Sequence, residues 1–298
     1  MGIESYEQLA LRRSESALAL GALIPLDTRQ IPLVGTQPFE VRELTSDLPK
    51  HFRKTGPKPN PFRPWDQRLE VSAIGSHHAL ILNKYPVQLG HMLLITKEWA
   101  SQGDWLDSKD WSAVSAVDTN TTGLWFFNSG PLAGASQPHR HLQLLPRQPG
   151  EARCPREPWF INLLNHRCKD TTEHVPPLVA ATAVRARQQD HPDPSSHLGE
   201  LYAELANELN LGSPLHEQAP IAPYNVLITD QWMAMVRRRS DGIHGFSVNA
   251  LGFAGYLLAT DKADRHWLSR HGPEQLLTEV VEPIRGTTDD ANVSIVNG

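Results

Sequence analysis

The feature that most constrains this chain is an alternating run of six residues, HRHLQL, at positions 139–144. On a β-strand, side chains two residues apart point to the same face. His139, His141 and Gln143 would then share one face, while Leu142 and Leu144 point to the other, where a core can bury them. The pattern predicts a half-buried strand that presents two imidazoles and an amide together.

The segment before this strand is small and polar. It begins with Asn128-Ser129-Gly130-Pro131 and continues through Gly134 and Ser136. Glycine-rich turns of this kind can bring backbone N–H groups close to an anion. An imidazole beside such a loop is suited to nucleophilic attack on a phosphate.

Two other interpretations fit a bare pair of histidines on a strand. The pair could face solvent, or it could form part of a divalent-metal site. A metal site would need a further strong ligand nearby, and the amide of Gln143 is a poor one. The alternation together with the glycine and serine loop favours phosphate chemistry, and no metal ligands are predicted.

Composition bounds the class of protein. The chain has 298 residues, of which 40% are hydrophobic and 20% charged, with a formal net charge of −5. A negative chain offers no general attraction to nucleic acid or to a membrane surface, so any anion site must be local. Two cysteines, Cys154 and Cys168, are too few for a disulfide framework or a four-cysteine zinc site, which predicts a cytoplasmic protein.

Known targeting and nucleotide-binding signals are missing from the sequence. No apolar run approaches the roughly 18 residues of a membrane span, and the first residues hold no apolar signal core. Neither a Walker phosphate loop nor a dinucleotide-binding glycine fingerprint occurs. Any nucleotide would therefore be bound by another scaffold.

Periodicity predicts an α+β fold with a largely antiparallel sheet and packed helices. Strands are predicted at 79–82, 92–96, 124–127, 140–145, 225–229 and 232–236, and helices at 4–22, 105–117, 197–211 and 274–284. The strand pair near Asn225 resembles the pair near Asn83, which suggests an internally duplicated, pseudo-dimeric arrangement. We divide the chain into an N-terminal half at 1–150, a connecting segment at 151–196 and a C-terminal half at 197–298.

The motif Ser136-x-Pro-His-x-His-x-Gln resembles the transferase branches of the histidine-triad superfamily, whose hydrolases carry a third histidine instead of glutamine. Uridylyltransferases of this superfamily usually have proline between the histidines, where this chain has Arg140. Further segments are similar to the ATP adenylyltransferases, also known as diadenosine tetraphosphate phosphorylases. They lie at 83–87, 91–96, 223–227 and 247–255, so that the resemblance spans about residues 20–260.

The resemblance implies a histidine-triad-like sheet and assigns the catalytic residues. His141 would attack an α-phosphate and carry a nucleotidyl group. His139 would orient the site or contact phosphate. Gln143 can form hydrogen bonds but cannot supply a proton at pH 7, which suits a transferase with a polyphosphate leaving group.

Substrate contacts are expected at three further places. Asn128, Ser129, Gly130 and Ser136 would hold phosphate oxygens, although the turn could also be a plain strand connection. By the same resemblance, Asn83 would bind ribose or base. Lys54 and Lys58 lie in a proline-rich basic loop at 53–66, which could fold over a polyphosphate or remain solvated.

The predicted activity is phosphorolysis of diadenosine tetraphosphate (Ap4A) to ATP and ADP through an adenylyl-histidine. Uridylyl transfer to a hexose 1-phosphate, hydrolysis of dinucleoside polyphosphates and a non-enzymatic nucleotide-binding regulator are the alternatives. We expect no tightly bound cofactor, with Mg²⁺ arriving on the polyphosphate. The expected partners are the nucleotide and inorganic phosphate. The duplicated arrangement would let the chain work as a monomer.

Overall fold

Residues 4–32, 38–46, 60–148, 150–166 and 175–284 are described by a computed structural model. The strands are β1 (Thr28–Gln30), β2 (Glu40–Leu44), β3 (Glu70–Ile74), β4 (His78–Leu82), β5 (Met92–Thr96), β6 (Gly123–Asn128), β7 (His141–Pro146), β8 (Thr182–Ala186), β9 (Tyr224–Ile228), β10 (Trp232–Arg237), β11 (Gly242–Ile243), β12 (Phe246–Ser247) and β13 (Tyr256–Ala259). The helices are α1 (Tyr6–Ala19), α2 (Ser108–Asp118), α3 (Glu157–His166), α4 (Pro177–Ala180), α5 (Pro194–Glu208), α6 (Ala250–Ala254) and α7 (Arg265–Val280), with short 3₁₀ turns at Gln67–Leu69 and Pro131–Ala133.

The central feature is an eight-stranded sheet in the order β3-β4-β5-β7-β6-β9-β10-β8. Each neighbouring pair is antiparallel. Strand β6 joins β9, with Asn128 opposite Asn225, so that one sheet continues across both halves of the chain. The α+β fold with an antiparallel sheet is confirmed, whereas the internal duplication stays a prediction.

Helices and a small sheet cover the two faces differently. On one face, α1, α2 and α5 bury an apolar cluster that includes Leu142 and Leu144. On the other face, the C-terminal strands are covered by α3, α6, α7 and a three-stranded sheet, β1-β2-β13. The N-terminal strands of that second face hold a separate small cluster around Phe62. The two histidines of the motif lie beside this cluster around Phe62.

Local sequence explains where the helices begin. Asp107 caps α2 and forms a reciprocal capping box with Asp110, satisfying backbone donors that have no partner within the helix. The predicted late helix at 274–284 has the wrong bounds. It belongs to α7, which starts at Arg265 and is interrupted at Gly272, where φ is 80° and Pro273 follows. Proline cannot continue the backbone ladder, which accounts for the break.

The segment at 151–196 contains more regular structure than its proline-rich composition indicates. It holds α3 and α4, and β8 forms one edge of the main sheet. The division into 1–150, 151–196 and 197–298 remains a prediction. Among the helices that the structure describes, none has both the length and the apolar character to cross a membrane.

Candidate active site

Strand β7 presents the motif in the predicted alternation. His141 and Gln143 pair with Ile95 and Leu93 of β5, and Leu142 is buried among the helices of the other face. A strand fixes its side chains at intervals of two residues. The imidazole and the amide therefore project from one face of a rigid sheet.

The ring of His141 is held in the neutral state. Its Nδ1–H donates to the backbone oxygen of His139 at 2.8 Å, which leaves the lone pair on Nε2. Within the described ranges no side chain or backbone group hydrogen-bonds to that Nε2. Burial lowers the pKa of His141 from 6.5 to about 4, because desolvation disfavours the charged ring. A neutral imidazole with one free nitrogen can attack phosphorus near pH 7.

Gln102, which sequence reasoning did not single out, fixes the backbone at His141. The backbone N–H of His141 donates to Gln102 Oε1 at 2.8 Å. The Nε2 of Gln102 donates to the backbone oxygen of Asn128 at 2.8 Å. This buried amide thereby ties the start of β7 to the end of β6.

His139 has partners for both ring nitrogens. Its Nε2–H donates to the backbone oxygen of Thr96 at 2.9 Å, and its Nδ1 accepts from Asn60 Nδ2 at 2.8 Å. Of the two roles predicted for His139, orientation of the site fits these contacts better than phosphate binding. Its own carbonyl oxygen is the group that holds His141.

Gln143 takes part in a chain of hydrogen bonds with two other side chains. Its Oε1 accepts from His91 Nε2 at 3.0 Å, and His91 Nδ1 accepts from Asn83 Nδ2 at 3.1 Å. Sequence reasoning placed His91 in a similar segment but gave it no role. The structure thus brings predicted residues Asn83 and Gln143 to the same face through His91.

The turn that begins at Asn128 already has hydrogen-bond partners within the protein. Ser129 exchanges hydrogen bonds with the backbone of Tyr224, since its Oγ accepts from Tyr224 N at 2.7 Å and its N–H donates to Tyr224 O at 3.0 Å. The N–H of Gly130 donates to Asn128 O at 2.9 Å. The Ser129 contacts join the two halves of the chain, while the Gly130 contact lies within the turn, and phosphate binding by this turn stays a prediction. Ser136 lies further along the loop and is exposed.

Asn128 remains suited to contact a substrate through its amide nitrogen, because the described protein groups that bind its side chain hold only the oxygen. Its Oδ1 accepts from Asn225 Nδ2 at 2.8 Å and from Ala250 N at 2.9 Å. Arg238, which is fully buried, donates in turn to Asn225 Oδ1 at 2.5 Å. The amide nitrogen of Asn128 is thereby directed away from its partners, and the C-terminal half sets this orientation.

An apolar surface adjoins the nucleophile. The ring of Phe62 lies 5.2 Å from that of His141, measured between centroids. Around Phe62 lie four buried strand residues and the partly buried Trp65; the strand residues are Ala79, Ile81, Leu93 and Ile95. These side chains make the surroundings of His141 apolar on this side.

Other sequence-based expectations have varied outcomes. Lys54 and Lys58 lie outside the described residues. Across the described ranges, no three or more His, Cys, Asp or Glu side chains are grouped to hold a metal ion. The burial of Arg238 was not predicted, because the run Arg237-Arg238-Arg239 has the composition of an exposed strand end.

The fold and the site define a protein of the histidine-triad class, with a neutral histidine on a continuous antiparallel sheet. Two family models match the chain. The Ap4A phosphorylase N-terminal domain matches residues 4–161, and the ATP adenylyltransferase C-terminal domain matches residues 174–283. The chain belongs to the Ap4A phosphorylase family of ATP adenylyltransferases.

Individual relatives agree with this assignment. The chain is 28% identical over 235 residues to diadenosine 5',5'''-P1,P4-tetraphosphate phosphorylase 2 of Saccharomyces cerevisiae, covering 68% of this chain and 69% of that protein. It is 31% identical over 123 residues to Protein APA1 of the same yeast, covering 37% and 38%. Crystal structures of yeast Ap4A phosphorylase Apa2, alone and in complex with Ap4A, share the fold with a TM-score of 0.69 at 22% identity, covering 96% of this chain and 100% of Apa2.

Proposed function

We propose that this protein phosphorolyses Ap4A to ATP and ADP through an adenylyl group carried on His141. The observation that carries the proposal is the state of that ring, whose Nδ1 proton is bound to the His139 carbonyl while Nε2 keeps its lone pair. Membership of the Ap4A phosphorylase family supports the choice of substrate.

In the first step, Nε2 of His141 attacks an α-phosphorus of Ap4A. The N–P bond forms as the bond from that phosphorus to the bridging oxygen breaks, and ATP leaves with the bond's electron pair. The ring becomes cationic, because Nδ1 keeps its proton. The carbonyl oxygen of His139 then accepts a charge-assisted hydrogen bond, which stabilises the intermediate more than the free enzyme.

Two amide nitrogens are proposed to donate hydrogen bonds to the reacting phosphate. They belong to Asn128 and Gln143, whose oxygens are already held by protein donors. Preoriented donors of this kind lower a barrier because they need little rearrangement as charge develops. Ser136 is proposed to add a contact from the exposed loop.

In the second step, an oxygen of inorganic phosphate attacks the adenylyl phosphorus, the P–N bond breaks and ADP leaves. His141 regains its lone pair. Gln143 cannot act as a general base for water, because an amide does not titrate near pH 7. We therefore propose phosphate, already an anionic nucleophile, as the acceptor in preference to water.

The remaining substrate contacts are likewise proposals. The apolar surface at Phe62 and Ile81 is proposed to receive the adenine, with Asn83 near the ribose. Lys54, Lys58 and Mg²⁺ are proposed to neutralise the polyphosphate. We further propose that the protein acts as a cytoplasmic monomer without nucleic-acid or membrane partners.

The test uses Ap4A labelled at the α-phosphate. Wild type should give ATP plus ADP in the presence of phosphate, and an acid-labile label should appear on the protein. His141→Ala should lose turnover and labelling, whereas His271→Ala, at an exposed histidine of α7, should keep both. Normal labelling of His141→Ala would refute the nucleophile.

The acceptor and the nucleotide are tested separately. Omitting phosphate should stop turnover after one adenylylation per chain. ATP plus AMP in amounts that do not depend on phosphate would instead identify a hydrolase. UDP-glucose with galactose 1-phosphate should give no exchange, and efficient exchange would indicate a uridylyltransferase.

A further inference from the structure

Three polar side chains form a line across three neighbouring strands. Asn83 follows β4, His91 precedes β5 and Gln143 lies in β7. The Asn83 Nδ2 to His91 Nδ1 distance is 3.1 Å, and the His91 Nε2 to Gln143 Oε1 distance is 3.0 Å. His91 is 7% exposed, so these contacts lie within the protein.

The direction in which hydrogen bonds are donated along this line is set by a backbone N–H, which can only donate. The backbone N–H of Tyr85 donates to Asn83 Oδ1 at 3.1 Å. A backbone N–H can only donate, so Asn83 must turn its oxygen toward Tyr85 and its NH₂ toward His91. The Nδ1 of His91 then accepts and carries no proton.

His91 transmits the direction because its ring is neutral. Burial lowers the pKa of His91 from 6.5 to about 4, and the nearby Arg147 and His141 act in the same direction. A neutral ring carries one proton, which must be on Nε2 when Nδ1 accepts. That proton faces Gln143 Oε1, so the NH₂ of Gln143 points away from His91. Across the described residues this NH₂ has no hydrogen-bond partner.

We infer that Asn83 and His91 are positioning residues which fix the amide of Gln143, so that its NH₂ rather than its oxygen faces the reacting phosphate. The inference rests on the proposed function for its effect on the reaction, while the hydrogen-bond direction can be measured without substrate. It gives Asn83 a task distinct from its predicted contact with the ribose.

Orientation matters because the two ends of an amide have opposite polarity. The NH₂ donates to a phosphate oxygen, whereas a reversed amide would place its carbonyl oxygen against the same anion. Loss of one preoriented donor at a developing charge costs about 10²–10³-fold in kcat in other enzymes. Removing the positioning residue His91 should cause part of this loss, lowering kcat about 10-fold or more.

The first experiment reads the tautomer of His91 directly by NMR correlation of ring carbons and nitrogens in labelled protein at pH 7.5. Wild type should show the proton on Nε2. Asn83→Asp replaces the amide donor with a carboxylate, which accepts from Tyr85 and from a proton on His91 Nδ1. This variant should therefore show a protonated Nδ1. A wild-type ring protonated on Nδ1 alone would overturn the inference, whatever the substrate.

The second experiment uses the pH dependence of Asn83→Asp. The carboxylate raises the pKa of His91, since a neighbouring negative charge favours the imidazolium. Below that pKa the ring keeps both protons and still donates to Gln143; above it, the Nε2 proton is lost first. Relative to wild type, kcat of the variant should fall as pH rises. A uniform loss at every pH would contradict the inference.

The third experiment is a double-mutant cycle on phosphorolysis, with folding checked by thermal unfolding. His91→Ala should lower kcat about 10-fold in the wild-type background and have little further effect in Gln143→Ala. The matched control is His197→Asn, at a histidine of similar burial on α5 whose ring accepts the N–H of Gln188. It should cost stability but leave kcat unchanged.

Equal losses from His91→Ala in both backgrounds would show a merely structural role and overturn the inference. If wild type fails to phosphorolyse Ap4A, the proposed function fails by itself, because the tautomers of His91 still test the line of hydrogen bonds.

Discussion

The guanidinium of Arg140 donates from Nη1 to Asp110 Oδ2 at 2.9 Å, on the face of the sheet opposite the nucleophile. The other oxygen of Asp110 is 2.9 Å from His78 Nε2. All three side chains are buried. Arg140, which lies between the two histidines, therefore anchors α2 to the start of β7, the strand that carries His141. An arginine at this position has a structural reason that is independent of substrate choice.

Arg140→Ala should lower the free energy of unfolding by about 3 kcal/mol, because it leaves the carboxylate of Asp110 buried without its cation. Chemical denaturation measures the change. The control is Arg63→Ala, which breaks an exposed ion pair with Glu98 and should cost less than about 1 kcal/mol. Equal stabilities for Arg140→Ala and wild type would show that the buried pair contributes nothing.

Alternation of side chains explains why the core of the site could be predicted from sequence. A strand of period two places His141 and Gln143 together whatever the rest of the fold does. The two flanking strands, β5 and β6, were also predicted within about two residues, because their apolar runs are bounded by turn signals. The features that a short periodic segment determines by itself could therefore be predicted from the sequence.

Contacts between segments that are distant in the chain could not be predicted from the sequence. Gln102, Asn225 and Arg238 meet the motif only after the sheet has formed. The segment around Asn225 was singled out by resemblance, but nothing in the sequence assigned a contact to any of the three residues. The run Arg237-Arg238-Arg239 shows the difficulty, because only the register of β10 decides that the middle arginine is buried. Edge strands β3 and β8 were missed for a related reason, since each of these five-residue strands includes charged and other polar residues.

Asn225→Asp should lower kcat while preserving the fold. Asn225 Nδ2 donates to Asn128 Oδ1, and a carboxylate could not, which would favour a reversed Asn128 amide. A loss of about 10–100-fold in kcat is expected from such indirect partners, with a smaller change in KM for Ap4A. Steady-state kinetics measures both constants. Unchanged kcat would show that the Asn225 side chain does not set the Asn128 amide.

Acid should destabilise the protein through its buried histidines. His91 and His141 both have a folded-state pKa of about 4, below the value of about 6.5 for the unfolded chain. The unfolded state then binds more protons between these values, so stability rises with pH there and is lost as pH falls from about 6.5 to 4. Urea unfolding at pH 7 and 4.5 should show the loss, and His141→Asn should make it smaller.

Light scattering should give one chain of 33.2 kDa. The continuous sheet joins the two halves through β6 and β9 within a single chain, so we expect the site to need no residue from a second copy. Activity per chain should not vary with protein concentration. A dimer that loses activity on dilution would contradict this prediction.

Phe62 should control the acid limb of the pH profile. Its ring lies 5.2 Å from His141, and the low pKa of His141 arises chiefly from burial. Phe62→Ala admits water to the imidazole, which raises its pKa toward 6.5, so that the nucleophile is protonated at a higher pH. The acid limb of kcat/KM for Ap4A should move upward, while Phe62→Leu, which keeps most of the apolar cover, should move it less. An acid limb that stays in place in Phe62→Ala would show that other groups keep the ring dry.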